Sequence, residues 1–170
     1  MGTNYIAPIW RMPENTNKDK LSNYSINFNG SNDVINIPNS TDFDLGTAFT
    51  ISGWFNFNVT SGTRGLISFD SSTTRGWFLY IYANQIRLFN VSSVYTLYTG
   101  YTTTNQWDNF IVTYDGTDLV FYLNGTQEST QTVSINLQTN GQDGQIGNNQ
   151  KAAGRYFNGE ISQISIFDYA

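Results

Sequence analysis

Trp107-Asp108-Asn109-Phe110-Ile111-Val112-Thr113-Tyr114-Asp115-Gly116-Thr117-Asp118-Leu119-Val120-Phe121-Tyr122-Leu123-Asn124-Gly125 reads as two strands and the turn between them. Phe110 to Tyr114 are all β-branched or aromatic, and Val120, Phe121 and Tyr122 between two leucines continue the residue types that fit a pleated, half-buried surface. Asp115-Gly116 tolerates the positive φ that a tight reversal requires. The stretch is therefore a hairpin, and a hairpin needs further strands to bury its apolar side.

The rest of the chain supplies them. Short alternating runs near 24-28, 33-37, 49-57, 65-70, 76-83, 85-90, 94-98, 127-134 and 156-167 repeat the period-2 pattern, and no segment holds a helical period. Asn29-Gly30, Asn124-Gly125, Asn140-Gly141, Asp143-Gly144 and Asn158-Gly159 punctuate them. Strands without helices must bury one sheet against another, so the fold expected is all-β, a two-sheet antiparallel sandwich. In Phe49 to Phe57, the face with Phe49, Ile51, Gly53, Phe55 and Phe57 is the predicted core side; Phe110, Phe121 and Ile166 join it. The 76-83 run differs. Trp77, Leu79 and Ile81 share one face and Phe78, Tyr80 and Tyr82 the other, as in a central strand whose outer face is partly covered or forms a groove.

Residues 1-22 read as an extended arm ahead of a sandwich domain over 23-170, because Pro8, Pro13 and the polar run Glu14 to Lys20 block regular pairing. Ile6, Ile9 and Trp10 form an apolar cluster there that is unfavourable in a solvated tail, which predicts assembly onto another subunit or a copy of itself. The opening Met1 to Ile6 has no positive segment and no apolar core of leader length, so no secretory signal is expected. No apolar run reaches membrane-spanning length. Cys and His are both 0, which removes the usual ligands of zinc, copper and haem iron and the common acyl-transfer triads. Calcium, a hard ion held by oxygens, is the cofactor this leaves open. The net charge is −5 with only 8 Lys and Arg spread along the sequence, so neither nucleic acid nor an anionic membrane is an expected partner.

Tyr24 to Pro38, Phe49 to Phe55, the Trp107 to Gly125 hairpin and Phe157-Asn158-Gly159-Glu160-Ile161-Ser162-Gln163-Ile164-Ser165-Ile166-Phe167 together resemble laminin G-like, concanavalin A-like jelly rolls, in the same order and spacing. The resemblance covers about residues 24 to 168. It implies a β-sandwich of a kind that hosts lectins and adhesion modules; because the 8 basic residues are scattered and form no cluster to grip an anionic group, a neutral glycan is the partner expected. Many members place Asp where Ser162 stands, and use it with backbone oxygens near the position of Gly30 to hold calcium. Here that carboxylate is missing. Asn- and Thr-rich acidic domains of this kind resemble bacteriophage decoration and fibre proteins, which implies a virion surface, or release outside the cell by lysis.

The enzymes of this fold carry Glu-x-Asp-x-x-Glu on one strand, because glycoside hydrolysis needs two carboxylates about 5 to 9 Å apart. Glu14, Glu128 and Glu160 do not begin that pattern, so no catalytic residue is assigned. Ser68-Phe69-Asp70-Ser71-Ser72 is read as a hairpin end, with Asp70 a candidate oxygen ligand. Sugar binding uses aromatic faces and amide groups. Tyr80, Tyr82, Asn84, Asn90, Tyr95, Tyr98 and Tyr101 are the candidate lining; the competing reading is that these tyrosines pack across strands or in a subunit interface. The alternatives to a glycan-binding virion protein are a capsid or tail assembly protein without a ligand and, more distantly, a glycoside hydrolase-like enzyme.

Overall fold

The alternating runs become strands almost where the residue pattern puts them. The computed structural model describes residues 24–59, 61–91 and 93–170. Its strands are β1 (Ile26–Asn29), β2 (Ile35–Ile37), β3 (Phe49–Phe57), β4 (Thr63–Ser68), β5 (Trp77–Tyr82) and β6 (Gln85–Asn90). They continue as β7 (Ser93–Thr99), β8 (Trp107–Tyr114), β9 (Asp118–Leu123), β10 (Thr126–Thr132), β11 (Gly144–Ile146) and β12 (Asn158–Phe167). Thr41–Phe43 forms a single 3-10 turn capped by Ser40, whose side chain accepts from the Asp42 amide.

Two six-stranded sheets face each other, in the orders β1-β12-β3-β8-β9-β10 and β2-β11-β4-β5-β6-β7. The strand ladders are antiparallel. Alternation along β3 puts Phe49, Ile51, Phe55 and Phe57 inward, and β8 and β9 add Phe110, Val112, Tyr114, Leu119 and Phe121. The second sheet answers with Leu79, Ile81, Ile86 and Leu88. Ile166 is only half-buried. A register shift between Ser162 and Ser165, with Gln163 at φ 53, leaves Ile166 facing inward opposite the buried Ile51, where it packs against the core near the end of β12.

The hairpin closes as expected, with Tyr114 opposite Leu119 and Gly116 at φ 99. Asp115 Oδ1 accepts from the Thr117 and Asp118 amides, each at 2.8 Å. These bonds hold the Asp115 carboxyl below its ordinary range. β11 lies in a stretch read from sequence as turns. Its three residues are too few to show alternation, yet they join β2 to β4 inside the second sheet.

One buried polar group spans the start of β8. Asp108 accepts from Tyr101 Oη at 2.8 Å, Gln106 Nε2 at 3.1 Å and Asn124 Nδ2 at 2.7 Å. Burial, reinforced by the charge and hydrogen bond of Asp108, pushes the Tyr101 phenol far above its ordinary range. The folded value therefore exceeds the unfolded one. Stability from this group is intact below pH about 10 and declines above it, where only the unfolded chain ionises. Tyr101→Phe is expected to cost about 1–2 kcal/mol at neutral pH and to flatten the alkaline decline. Urea melts at neutral pH and above pH about 10 check both.

Candidate functional site

The two faces of β5 meet different surroundings. Trp77, Leu79 and Ile81 enter the core, while Phe78, Tyr80 and Tyr82 point outward. Opposite them on β6 stand Phe89, Arg87 and Gln85, so the outer face carries an aromatic cluster with polar and cationic neighbours. Phe78 stacks on Tyr80 at 4.1 Å between centroids and meets Phe89 at 5.7 Å.

A strap, residues 147–156, covers part of this face. Gly65 lies opposite Tyr80 in the β4 to β5 ladder, and the space a side chain would fill there is taken by the backbone of Asn148 and Asn149. Asn149, fully buried, donates to Ser68 Oγ at 2.8 Å and Asp70 Oδ2 at 3.3 Å, and accepts from Arg155 Nη1 at 2.9 Å. The Gly65 amide donates to the Arg155 carbonyl at 3.0 Å, and Arg64 Nη1 donates to the carbonyls of Gly154 and Tyr156. Both readings of the 76-83 run thus apply in part: the strap buries Phe78 and Tyr80, and Tyr82 stays 41% exposed.

Basic residues converge here. Arg75 stands over the Phe89 ring at 4.3 Å, Lys151 over the same ring at 5.9 Å, Arg155 over Phe78 at 6.0 Å and Arg87 over Tyr82 at 4.7 Å. Arg64, opposite inward-facing Ile81, fastens the strap instead, so four of the five basic residues of the described chain stand over rings of this face. Their spread along the sequence, the basis for expecting neutral ligands, is undone by folding. Among the described residues the ion pair is Arg75 with the buried Asp70, Nε to Oδ1 at 2.6 Å. Asp70 is thereby engaged by Arg75 and Asn149, which leaves it poorly placed as a metal ligand.

The seven candidate lining residues do not share a surface. Tyr82 and exposed Asn84 sit together at the β5 to β6 turn, where Asn84 adopts φ 62. Tyr80 lies under the strap's edge and Asn90 is at the far end of β6, opposite Trp77. Tyr95 and Tyr98 pack toward the core, although an odd spacing would place them on opposite faces, because a register shift in the β6 to β7 ladder turns Tyr98 inward. Tyr101 is a core residue bonded to Asp108. For these three the competing reading, packing, describes what is seen. The arm residues Ile6, Ile9 and Trp10 lie outside the described residues.

Sequence reading missed Arg75, Arg87, Lys151, Arg155, Phe89 and Asn149. The available signal was the second apolar face of β5 and β6, which needed a cover, and Lys151-Ala152-Ala153-Gly154-Arg155 was the uncommitted segment that provides it. Calcium near Gly30 does not fit. Ser162 Oγ donates to the Tyr24 carbonyl, Asp33 Oδ2 accepts from the Asn29 amide, and no three acidic groups gather for a metal among the described residues.

Residues 29–170 match the family described as the concanavalin A-like lectin/glucanases superfamily. The chain belongs to that superfamily. This concanavalin A-like chain is similar in fold to domain 4 of AbnA, a GH43 extracellular arabinanase from Geobacillus stearothermophilus solved with arabinotriose. The TM-score is 0.64 at 16% identity, covering 84% of this chain and 69% of that one. It is also similar to a putative carbohydrate binding protein from Bacteroides ovatus, with TM-score 0.68, 18% identity and 86% and 43% coverage. A third likeness is to the CBM40 of Ruminococcus gnavus IT-sialidase bound to α2,3 sialyllactose, with TM-score 0.59, 14% identity and 81% and 90% coverage. At these identities the likeness concerns the fold. Among curated proteins no sequence matches. No helix among the described residues is long and apolar enough to cross a membrane.

Proposed function

We propose that this chain is a non-catalytic glycan-binding module whose ligand lies on the outer face of β5 and β6. The observation that carries the reading is Tyr82, a ring left open to solvent, held from one side by Arg87, and set beside the exposed amide of Asn84. Arg87 Nε in turn donates to Gln85 Oε1 at 2.7 Å, which fixes the guanidinium under the ring. An oriented aromatic face with amides at its edge is what a sugar's C–H surface and hydroxyls need. Sugar complexes of fold neighbours, with arabinotriose and with sialyllactose, support the class. A non-catalytic role is supported by the two buried carboxylates of the described residues, Asp70 just past the end of β4 and Asp108 on β8, each occupied by hydrogen bonds.

The setting we infer is a virion surface, on the acidic, cysteine-free, Asn- and Thr-rich composition; a flanking portal, capsid or tail gene supports it, and a flanking set of secreted hydrolases overturns it. Stacking and neutral hydrogen bonds are worth about 1 kcal/mol each, so a single site is weak and display in many copies supplies about 10² to 10⁴ in avidity. A tetramerised domain is expected to retain glycans on an array. Tyr82→Ala is expected to lower apparent affinity about tenfold or more with an unchanged melting temperature, because the removed ring is exposed. Retention of no glycan, or a variant that binds like the parent, overturns the assignment.

A further inference from the structure

Resting on the glycan-binding reading, we propose that the strap end of this face selects acidic sugars, with Lys151 and Arg155 gripping a carboxylate. Four features of the face point there.

Charge is segregated. The protein is acidic at −5, yet Arg75, Lys151 and Arg155 stand over two rings that touch each other. Arg75 is answered by Asp70, whereas Lys151 and Arg155 have no carboxylate partner among the described residues. Two like charges gathered over one aromatic cluster repel unless an anion joins them, so the arrangement is complementary to a negative group that the chain itself does not supply.

The guanidinium of Arg155 is positioned in advance. Arg155 spends Nη1 on Asn149 Oδ1, its carbonyl is fixed by the Gly65 amide, and Asn149 is anchored to Ser68 and Asp70 below. A guanidinium has five N–H donors, so most remain for a ligand, and a fixed fork suits a carboxylate. Access is open as well. Between the two cations the strap carries Ala152, Ala153 and Gly154, all exposed and small.

The footprint fits an oligosaccharide. From Phe78, beneath Arg155, to Tyr82 is four residues of one strand, about 13 Å at the usual rise. A sugar stacked on Tyr82 can therefore belong to the same chain as an acidic residue at the strap. A densely charged polymer suits the face less. Nucleic acid binding draws on many phosphate contacts, and here two uncompensated strap cations sit on a protein of net negative charge.

The test uses the intact tetramerised chain with oligogalacturonate and sialyllactose, each compared with its methyl ester, which keeps the sugar and removes the charge. The acids are expected to bind about five- to tenfold more tightly than the esters at low salt, with the difference shrinking as salt rises. Lys151→Gln is expected to abolish that preference, and Arg155→Gln to remove it together with the bond to Asn149 Oδ1. Lys151→Gln preserves the fold of the strap, since only its backbone amide bonds within it, to Asn149 Oδ1 at 3.1 Å. Acid and ester bound alike, or a Lys151→Gln variant that keeps the preference, overturns acidic selection. If Tyr82→Ala still removes binding in that case, the module remains a glycan binder of neutral sugars. Binding of duplex DNA or heparin in preference to both acids overturns the proposal in favour of a polyanion surface, and retention of no glycan by any variant overturns both readings.

Discussion

Phe121→Ala is expected to destabilise the domain by about 3–5 kcal/mol, the range for emptying a phenylalanine-sized space in a packed core. Phe121 is fully buried on β9 and pairs with Val112 on β8, so its ring lies on the first sheet's inner face, one strand in from the edge strand β10. It also reaches the opposite layer, where the Tyr98 ring lies 6.4 Å away. Truncation removes the contact that links β9 to the edge strand β7, and the neighbouring backbone, paired on both sides of β9, cannot collapse to fill the space. For a domain of this size the loss corresponds to a melting temperature lower by about 6–20 °C. A chemical denaturation curve checks it. A cost below about 1 kcal/mol would place the side chain at the surface and contradict the inward phase of β9.

That phase was legible in the residue order because burial alternates along β3 and β8 and at the start of β9, with Phe49, Ile51, Phe55, Phe110, Val112, Leu119 and Phe121 inward, even though Trp54, Ile111 and Val120 lie on the outer face. Legibility ended wherever geometry broke the period. Gln163 at φ 53 shifts β12, and the shift at Ile86/Arg87 turns Tyr98 toward the core, so a tyrosine read as lining became packing. Bulges carry no strong residue signature. β11 was hidden for another reason, since three residues flanked by Asn140-Gly141 and Asp143-Gly144 look like turn chemistry.

The candidate site was only half legible. The exposure of Tyr82 and Asn84 could be read from the residue order because a ring and an amide at a hairpin end are local features. The cationic part was not, because Lys151 and Arg155 reach the rings beside Arg75 only when the strap folds across β4, and Arg87 comes over Tyr82 only through the pairing of β5 with β6. The second apolar face of β5 was the one sign that something had to lie over it. A buried face that recruits a polar loop also recruits that loop's charges, and this is how Lys151 and Arg155 come to stand over Phe89 and Phe78.

Gly65→Ala is expected to separate the strap from the sheet. The added carbon would lie 2.5 Å from the carbonyl carbon and oxygen of Asn148 and 2.9 Å from the Asn149 nitrogen, all backbone atoms with no rotamer to yield. Strap or strand must move. β4 is held by β5 on one side and β11 on the other, so the strap gives way. Lifting it breaks the Gly65 to Arg155 backbone bond and strains the bonds of Asn149 to Ser68 and Asp70, leaving buried polar groups unpaired. Overpacking of about 1–3 kcal/mol combines with the lost hydrogen bonds, for a total of about 3 kcal/mol or more. Phe78 and Tyr80 should become exposed, and Lys151 and Arg155 should lose their fixed positions over the rings. The variant is thus expected to lose acidic-sugar preference altogether while Tyr82, beyond the strap, still stacks on neutral glycans. Hydrogen exchange reads the lifting directly: amides of 147–156 should lose protection while those of β3 and β8 keep theirs. A Gly65→Ala protein with parental stability and a protected strap would mean that the segment rests on the sheet more loosely than these contacts require.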